Sequence, residues 1–174
     1  LVHEALSWSH GVFMGSMMGS EITAAAISDH IGTVRRDPFA MLPFIGYHVG
    51  DYLRHWLDMG KKSNEALLPK IFYVNWFRRD ADGDFLWPGF GHNSRVLKWI
   101  FERCEGTAPA VQTPIGFLPK LDTLDVRGLP MKAHALEQLL AVDIEGWLSE
   151  IESIKSYYIS IGDRISDRLV QELS

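Results

Sequence analysis

Between Trp76 and Asn93 the chain crowds five large rings, Trp76, Phe77, Phe85, Trp87 and Phe90, around the bend Gly89-Phe90-Gly91. Two readings follow. Rings on strands commonly pack inward, and all five are then core. The other reading is a slot for a flat ring. Phe90 lies between two glycines, a poor place for a strand-core residue and a good one for lining a pocket. Glycine on either side lets backbone N–H and C=O groups come close to a ligand. Asn93 carries both donor and acceptor atoms, which suits the edge of a nucleobase. Composition alone leaves both readings open.

Other candidates for chemistry are weaker. Asp80, Asp82 and Asp84 alternate as a calcium loop begins, but Phe85 and Gly91 stand where a glycine and a closing glutamate belong, so a hydrated hairpin tip is expected. His3 and His10 lack supporting carboxylate or cysteine spacing and are read as structural or surface residues. His48 and His55 are read the same way. Arg35-Arg36-Asp37-Pro38 reads as a charged, solvated turn, with a phosphate contact as its alternative.

Stepping outward, Ile71–Phe77 is β-branched and aromatic, the composition of a mostly buried strand. Asp82-Gly83 offers a tight reversal, Phe85–Trp87 reads as the returning strand, and Pro88 stops it. Asn93 or Ser94 can cap the next helix, which places Val96, Leu97, Ile100 and Phe101 on one face and ends at Gly106. Cys104 falls on that predicted apolar side and reads as a buried structural thiol. Upstream, Val12-Phe13-Met14 reads as a buried strand before a Gly/Ser-rich turn. Pro43 opens a helix with a stripe of Ile45, Val49, Tyr52, Leu53 and Trp56, closed by Gly60. Downstream, Ala110–Phe117 reads as one strand broken by proline, and 121–129 as irregular. Helices then carry Leu136, Leu139 and Leu140; Trp147, Ile151, Ile154 and Tyr158 behind an Asp143 cap; and, after Gly162, Leu169 and Leu173.

The 174 residues, 47% of them apolar, suit one domain with a core. A net charge of −5 argues against nucleic acid as a partner. The lone Cys104 has no partner for an internal disulfide, which fits a reducing cytoplasm. No run approaches the roughly 20 apolar residues of a membrane helix, and the first lysine or arginine is Arg35, so the basic start of a signal peptide is not expected.

The segment NWFRRDADGDFLWPGFGHNSRVLKW resembles the guanine-binding segment of the GTP-dependent phosphoenolpyruvate carboxykinases. RRDPFAMLPFIGYHVGDYLRHWL resembles the family's DPFAM-x-PF-x-GY stretch, TPIGFLP another signature, and HGVFMGSMMGSEITAAA the approach to its mobile lid. Several long motifs in the family's order are more specific than any short one. The resemblance implies an α/β (mixed α+β) fold: the C-terminal part of the family's nucleotide-binding domain, a mixed sheet with flanking helices and a helical tail over 132–174. It implies a lid at roughly 22–34 and a guanine-binding segment at 71–101. Within that segment Phe77, Phe85 and Phe90 surround guanine, Trp76 supports them, Asn93 bonds the base edge, and Phe90, Gly91, His92 and Asn93 supply backbone contacts.

The implied reaction takes oxaloacetate and GTP to phosphoenolpyruvate, CO2 and GDP, with Mn2+ or Mg2+, in a cytoplasmic monomer of gluconeogenesis. The chain reads as a C-terminal portion of such an enzyme. It has no phosphate loop ending in Lys-Ser/Thr and no set matching the family's metal ligands, so no catalytic or metal residue is assigned here. The rest of the same enzyme is the implied partner, and this chain alone is expected to be inactive. Gly19 and Leu42 stand where animal members carry arginine, and His92 where relatives carry glutamate. Two rival readings remain: a non-catalytic aromatic slot for a sugar or other planar ligand, and a structural domain whose rings are all core.

Overall fold

The computed structural model describes residues 1–21 and 34–174. The lid expected at 22–34 lies outside these, apart from the backbone of Val34. The strands are β1 (Val2–Glu4), β2 (Gly19–Glu21), β3 (Val34–Arg36), β4 (Phe72–Val74), β5 (Ala110–Thr113) and β6 (Gly116–Pro119). The helices are α1 (Trp8–Ser16), α2 (Val49–Gly60), α3 (Ser94–Cys104), α4 (Ala135–Leu140), α5 (Ile144–Ile161) and α6 (Asp167–Gln171), with single 3-10 turns between some of them. The α+β class is the expected one. Every described strand pair is antiparallel, where a mixed sheet was anticipated.

The chain divides into two compact units, Leu1–Leu6 with Lys70–Asp143, and Ser7–Pro69 with Ile144–Ser174. In the first, four strands run in the order β4-β1-β6-β5. Its core joins Leu1 and Val2 to Leu86, Trp87, Val96, Trp99, Leu124 and Leu139. Leu136 and Leu140 of α4 pack against it as expected. The predicted single strand over Ala110–Phe117 is instead a hairpin, because Pro114-Ile115 reverses the chain and pairs Thr113 with Gly116. Helix α3 buries Val96 and Trp99 and leaves Leu97 and Phe101 exposed, a rotation from the predicted face. Cys104 shares that outer face and is exposed, not buried. The buried carboxylate of Glu4 accepts from Arg103 Nε at 2.5 Å and pairs with Lys70 at 2.9 Å.

In the second unit, Val12-Phe13-Met14 is buried but helical. Ser7 caps α1 by accepting from His10 N–H at 3.1 Å, and the helix is buried from His10 to Ser16. A short apolar run is equally a buried strand or a buried helix, and the cap decides. Pro43 opens only a 3-10 turn, Leu42–Phe44. Helix α2 begins later, where His48 Nδ1 accepts from Gly50 N–H at 3.1 Å; His48 is a cap. Arg35 and Arg36 lie in strand β3, not in a solvated turn. Arg36 donates to the Met17 carbonyl at 2.7 Å and pairs with Glu150 at 2.7 Å, so its charge is used within the fold. Helices α5 and α6 bury Ile154, Tyr158 and Leu169, as their spacing predicts. Among the described residues no helix is long and apolar enough to cross a membrane.

Burial holds the His10 imidazole below its ordinary value, with the Glu172 charge pulling the other way. The unfolded chain therefore binds this proton more readily than the folded one. The stabilisation is full above the ordinary imidazole value and is lost as pH falls through it toward the depressed folded value. Urea midpoints should drop between pH 7.5 and 5.5, and His10→Gln should flatten part of that drop. An unchanged slope in the variant removes His10 as the cause.

Candidate functional site

Strand β4 delivers the ring-bearing segment. The chain leaves the sheet at Asn75, whose N–H still donates to Leu1 O at 2.8 Å. The Asn75 side chain then accepts from Phe77 N–H at 2.9 Å, an Asx turn that reorients the backbone. Trp76 packs on the core and tilts against Trp87, ring centres 6.5 Å apart. Phe77 is turned outward and is 71% exposed.

The predicted returning strand shrinks to one bridge, Arg79 to Phe85, supported by Leu86 N–H to Arg78 O at 2.9 Å. The loop between is internally tied, not merely hydrated. Asp80 Oδ1 accepts from Asp82 and Asp84 N–H at 3.0 and 2.9 Å, and Lys132 donates to Asp80 and Asp84 at 2.7 Å each. The Lys132 bond holds the Asp80 carboxyl below the usual carboxylate range. This loop sets Phe85 against Phe77 edge to face at 6.2 Å, with the Arg79 guanidinium 3.9 Å from the Phe85 ring centre. Phe85 remains 51% exposed.

Leu86 and Trp87 then dive into the core, and Gly89 turns the chain at φ +90°, ψ −155°, a conformation open in practice only to glycine. One 3-10 turn, Phe90–His92, precedes α3. Phe90 projects from it 96% exposed. Gly91 has ordinary φ, and a Cβ there would meet nothing within 4 Å, so nothing inside the fold requires glycine at this position.

Asn93 departs from expectation. It takes helical φ/ψ and its side chain caps nothing. Its Oδ1 accepts from the buried Trp87 Nε1–H at 2.8 Å. The backbone carbonyl of Asn93 meanwhile accepts from Val96 and Leu97 N–H at 3.1 Å each, which fixes the residue in the first turn of α3.

Of the seven residues singled out by sequence, the structure pairs Phe77 with Phe85 and sets Phe90, Gly91, His92 and Asn93 on one continuous turn. Trp76 lies beneath, as a packing residue. Sequence reasoning missed Arg79, Lys132 and the Trp87 bond to Asn93. Only the last had a signal: a buried tryptophan N–H seeks a partner, and Asn93 is a nearby acceptor. Among the described residues no group of three or more His, Cys, Asp or Glu could hold a metal ion. The described residues therefore do not fit one.

A family model described as "Phosphoenolpyruvate carboxykinase C-terminal P-loop domain" matches residues 1–174. Over 170 residues the chain is 55% identical to "Phosphoenolpyruvate carboxykinase [GTP]" of Treponema pallidum (strain Nichols), covering 97% of this chain and 28% of that protein. The proteins of the same name from Arthrobacter sp. (strain FB24) and Paenarthrobacter aurescens (strain TC1) are 54% and 53% identical over 173 residues, 99% of this chain and 28% of each relative. The chain thus spans little more than a quarter of the length of these relatives. On a match that runs from its first residue to its last, the chain belongs to the phosphoenolpyruvate carboxykinase C-terminal P-loop domain family.

Proposed function

We propose that this chain supplies the guanine-binding wall of a GTP-dependent phosphoenolpyruvate carboxykinase. The observation that carries the reading is the exposure of three phenyl rings, Phe77 and Phe85 paired edge to face and Phe90 on the turn that ends at Asn93. Burying a phenylalanine side chain is worth about 1.5–3 kcal/mol, so three left in water forgo several kcal/mol that a stacked ligand recovers. Gly91, which the fold itself does not need, leaves room for a base to approach the backbone. His92 then contributes main-chain atoms, so its replacement of glutamate is tolerated.

The reaction proposed is decarboxylation of oxaloacetate to an enolate, which takes the γ-phosphoryl group of GTP and leaves phosphoenolpyruvate, CO2 and GDP. Positioning and charge neutralisation do most of the work in such a transfer. The Mn2+ or Mg2+ that would supply charge on the phosphates is assigned to residues outside those described, in the remainder of the same enzyme. Cytoplasmic location, a monomeric state and a role in gluconeogenesis complete the proposal.

The rings and Asn93 divide the labour. Stacking contributes roughly 1–3 kcal/mol per base and is indifferent to which base is stacked. Discrimination falls to the edge, where one unpaired buried polar group costs about 1–3 kcal/mol. Asn93→Ala should therefore weaken GTP about tenfold more than ATP, measured by competitive titration of the full-length protein. Equal losses for both remove Asn93 from the reading role. The rival slot for a sugar is tested in the same titration: guanine nucleotides should quench tryptophan emission and sugars should not.

A further inference from the structure

We propose that Trp87 is a positioning residue that fixes the hydrogen-bonding sense of Asn93, so that the site offers a donor and selects purines with an oxygen at position 6. This rests on the guanine-pocket reading above and adds a residue that does not itself touch the base.

An asparagine amide can present either its oxygen or its NH2 to a ligand, and the two are nearly the same shape. Here the choice is made from behind. The indole N–H is a donor with no acceptor capacity, and it lies 2.8 Å from Asn93 Oδ1. A flipped amide would set NH2 against N–H, leaving a buried donor unpaired, which disfavours the flip by roughly tenfold to a hundredfold. Trp87 has no room to turn aside. It is 1% exposed, in a core cluster with Leu86, Val96 and Trp99, and tilted against Trp76. Asn93 is held equally firmly by its backbone bonds into α3.

The local structure carries a second sign of this role. An asparagine at the start of a helix ordinarily spends its side chain on a cap. Asn93 makes no cap bond, and its oxygen is given to Trp87 instead. What remains is Nδ2 with its two N–H groups. Guanine and hypoxanthine present an acceptor, O6, where adenine presents the donor N6–H2. A donor-only edge accepts the first two and opposes the third.

The test uses the full-length protein and competition of GDP, IDP and ADP against a fluorescent ribose-labelled nucleotide. Trp87→Phe removes the N–H and keeps a ring. Benzothienylalanine at position 87 puts sulfur in place of the N–H in the same bicyclic shape, and it decides the matter where Trp87→Phe folds poorly. Asn93→Asp keeps the acceptor for Trp87 but turns an acceptor outward. We expect wild type to prefer GDP and IDP over ADP. Both position-87 variants should lower the GDP-to-ADP affinity ratio about tenfold, with IDP following GDP and ADP not weakened. Asn93→Asp should lower the ratio at least as far.

No guanine preference in wild type overturns the pocket reading itself. A wild-type preference that both position-87 variants retain overturns the role of Trp87 and leaves the pocket reading standing. Equal losses for all three nucleotides make Trp87 a packing residue only, which also overturns the proposal.

Discussion

Replacing Phe90 by alanine should cut guanine-nucleotide affinity by roughly tenfold to a hundredfold, the worth of one lost stack, while hardly moving the thermal midpoint. The split follows from where the ring stands. At 96% exposed, Phe90 gives almost nothing to the fold. Surface changes away from special features stay within about 0.5 kcal/mol, or roughly 1–2 °C for a chain of this size. Were Phe90 a core residue, truncation would cost about 3–5 kcal/mol and the protein would melt well below wild type. Calorimetric titration with GDP and a thermal melt on the same preparation separate the two. Full affinity with an intact fold would remove Phe90 from the binding surface; a large fall in midpoint would restore the purely structural reading.

The bend around Phe90 was legible in the sequence because its logic is local. Glycines on either side of a large ring, ahead of a polar helix start, have few other uses, and Gly106, at φ +74°, likewise marks the stop of α3 after Cys104. What the sequence does not contain is the direction each face looks. In α3 the residues Val96, Leu97, Ile100 and Phe101 make a broad apolar band, and the pattern cannot say which edge of the band meets the core. Trp99 decides it by burying fully, which carries Leu97, Phe101 and Cys104 to the outside. The same limit applies to α1, whose Val12-Phe13-Met14 run is buried in either conformation. It applies also to Pro114-Ile115, where a proline break and a hairpin turn look alike in sequence. The Trp87 bond to Asn93 had a signal in the need of a buried indole N–H for a partner, but not one that singled it out. A capping asparagine and an asparagine held by an indole have the same sequence, and only the position of the buried ring distinguishes them.

Gly116→Ala should be the most damaging single methyl in the first unit, lowering the thermal midpoint by roughly 10 °C. Gly116 has φ +127°, and a Cβ built there would lie 2.4 Å from the Glu4 carbonyl oxygen, a backbone atom with no rotamer to change. Left-handed strain costs about 1–3 kcal/mol on its own. The clash is relieved only by parting β6 from β1, at the register where Glu4 faces Phe117. That movement also disturbs the buried Glu4 carboxylate and its bonds to Arg103 and Lys70, and breaking a buried pair costs about 3–5 kcal/mol when complete. Strand β1 holds β4 on its other edge, and β4 leads straight to Asn75, Trp76 and Phe77. The lesion should therefore lower nucleotide binding only in step with the loss of folded protein, with the remaining folded molecules binding normally. Phe90→Ala is the converse case, losing affinity without stability. A Gly116→Ala protein that melts like wild type would mean that Gly116 does not approach the Glu4 carbonyl, and that the sheet carrying the binding segment pairs in another register.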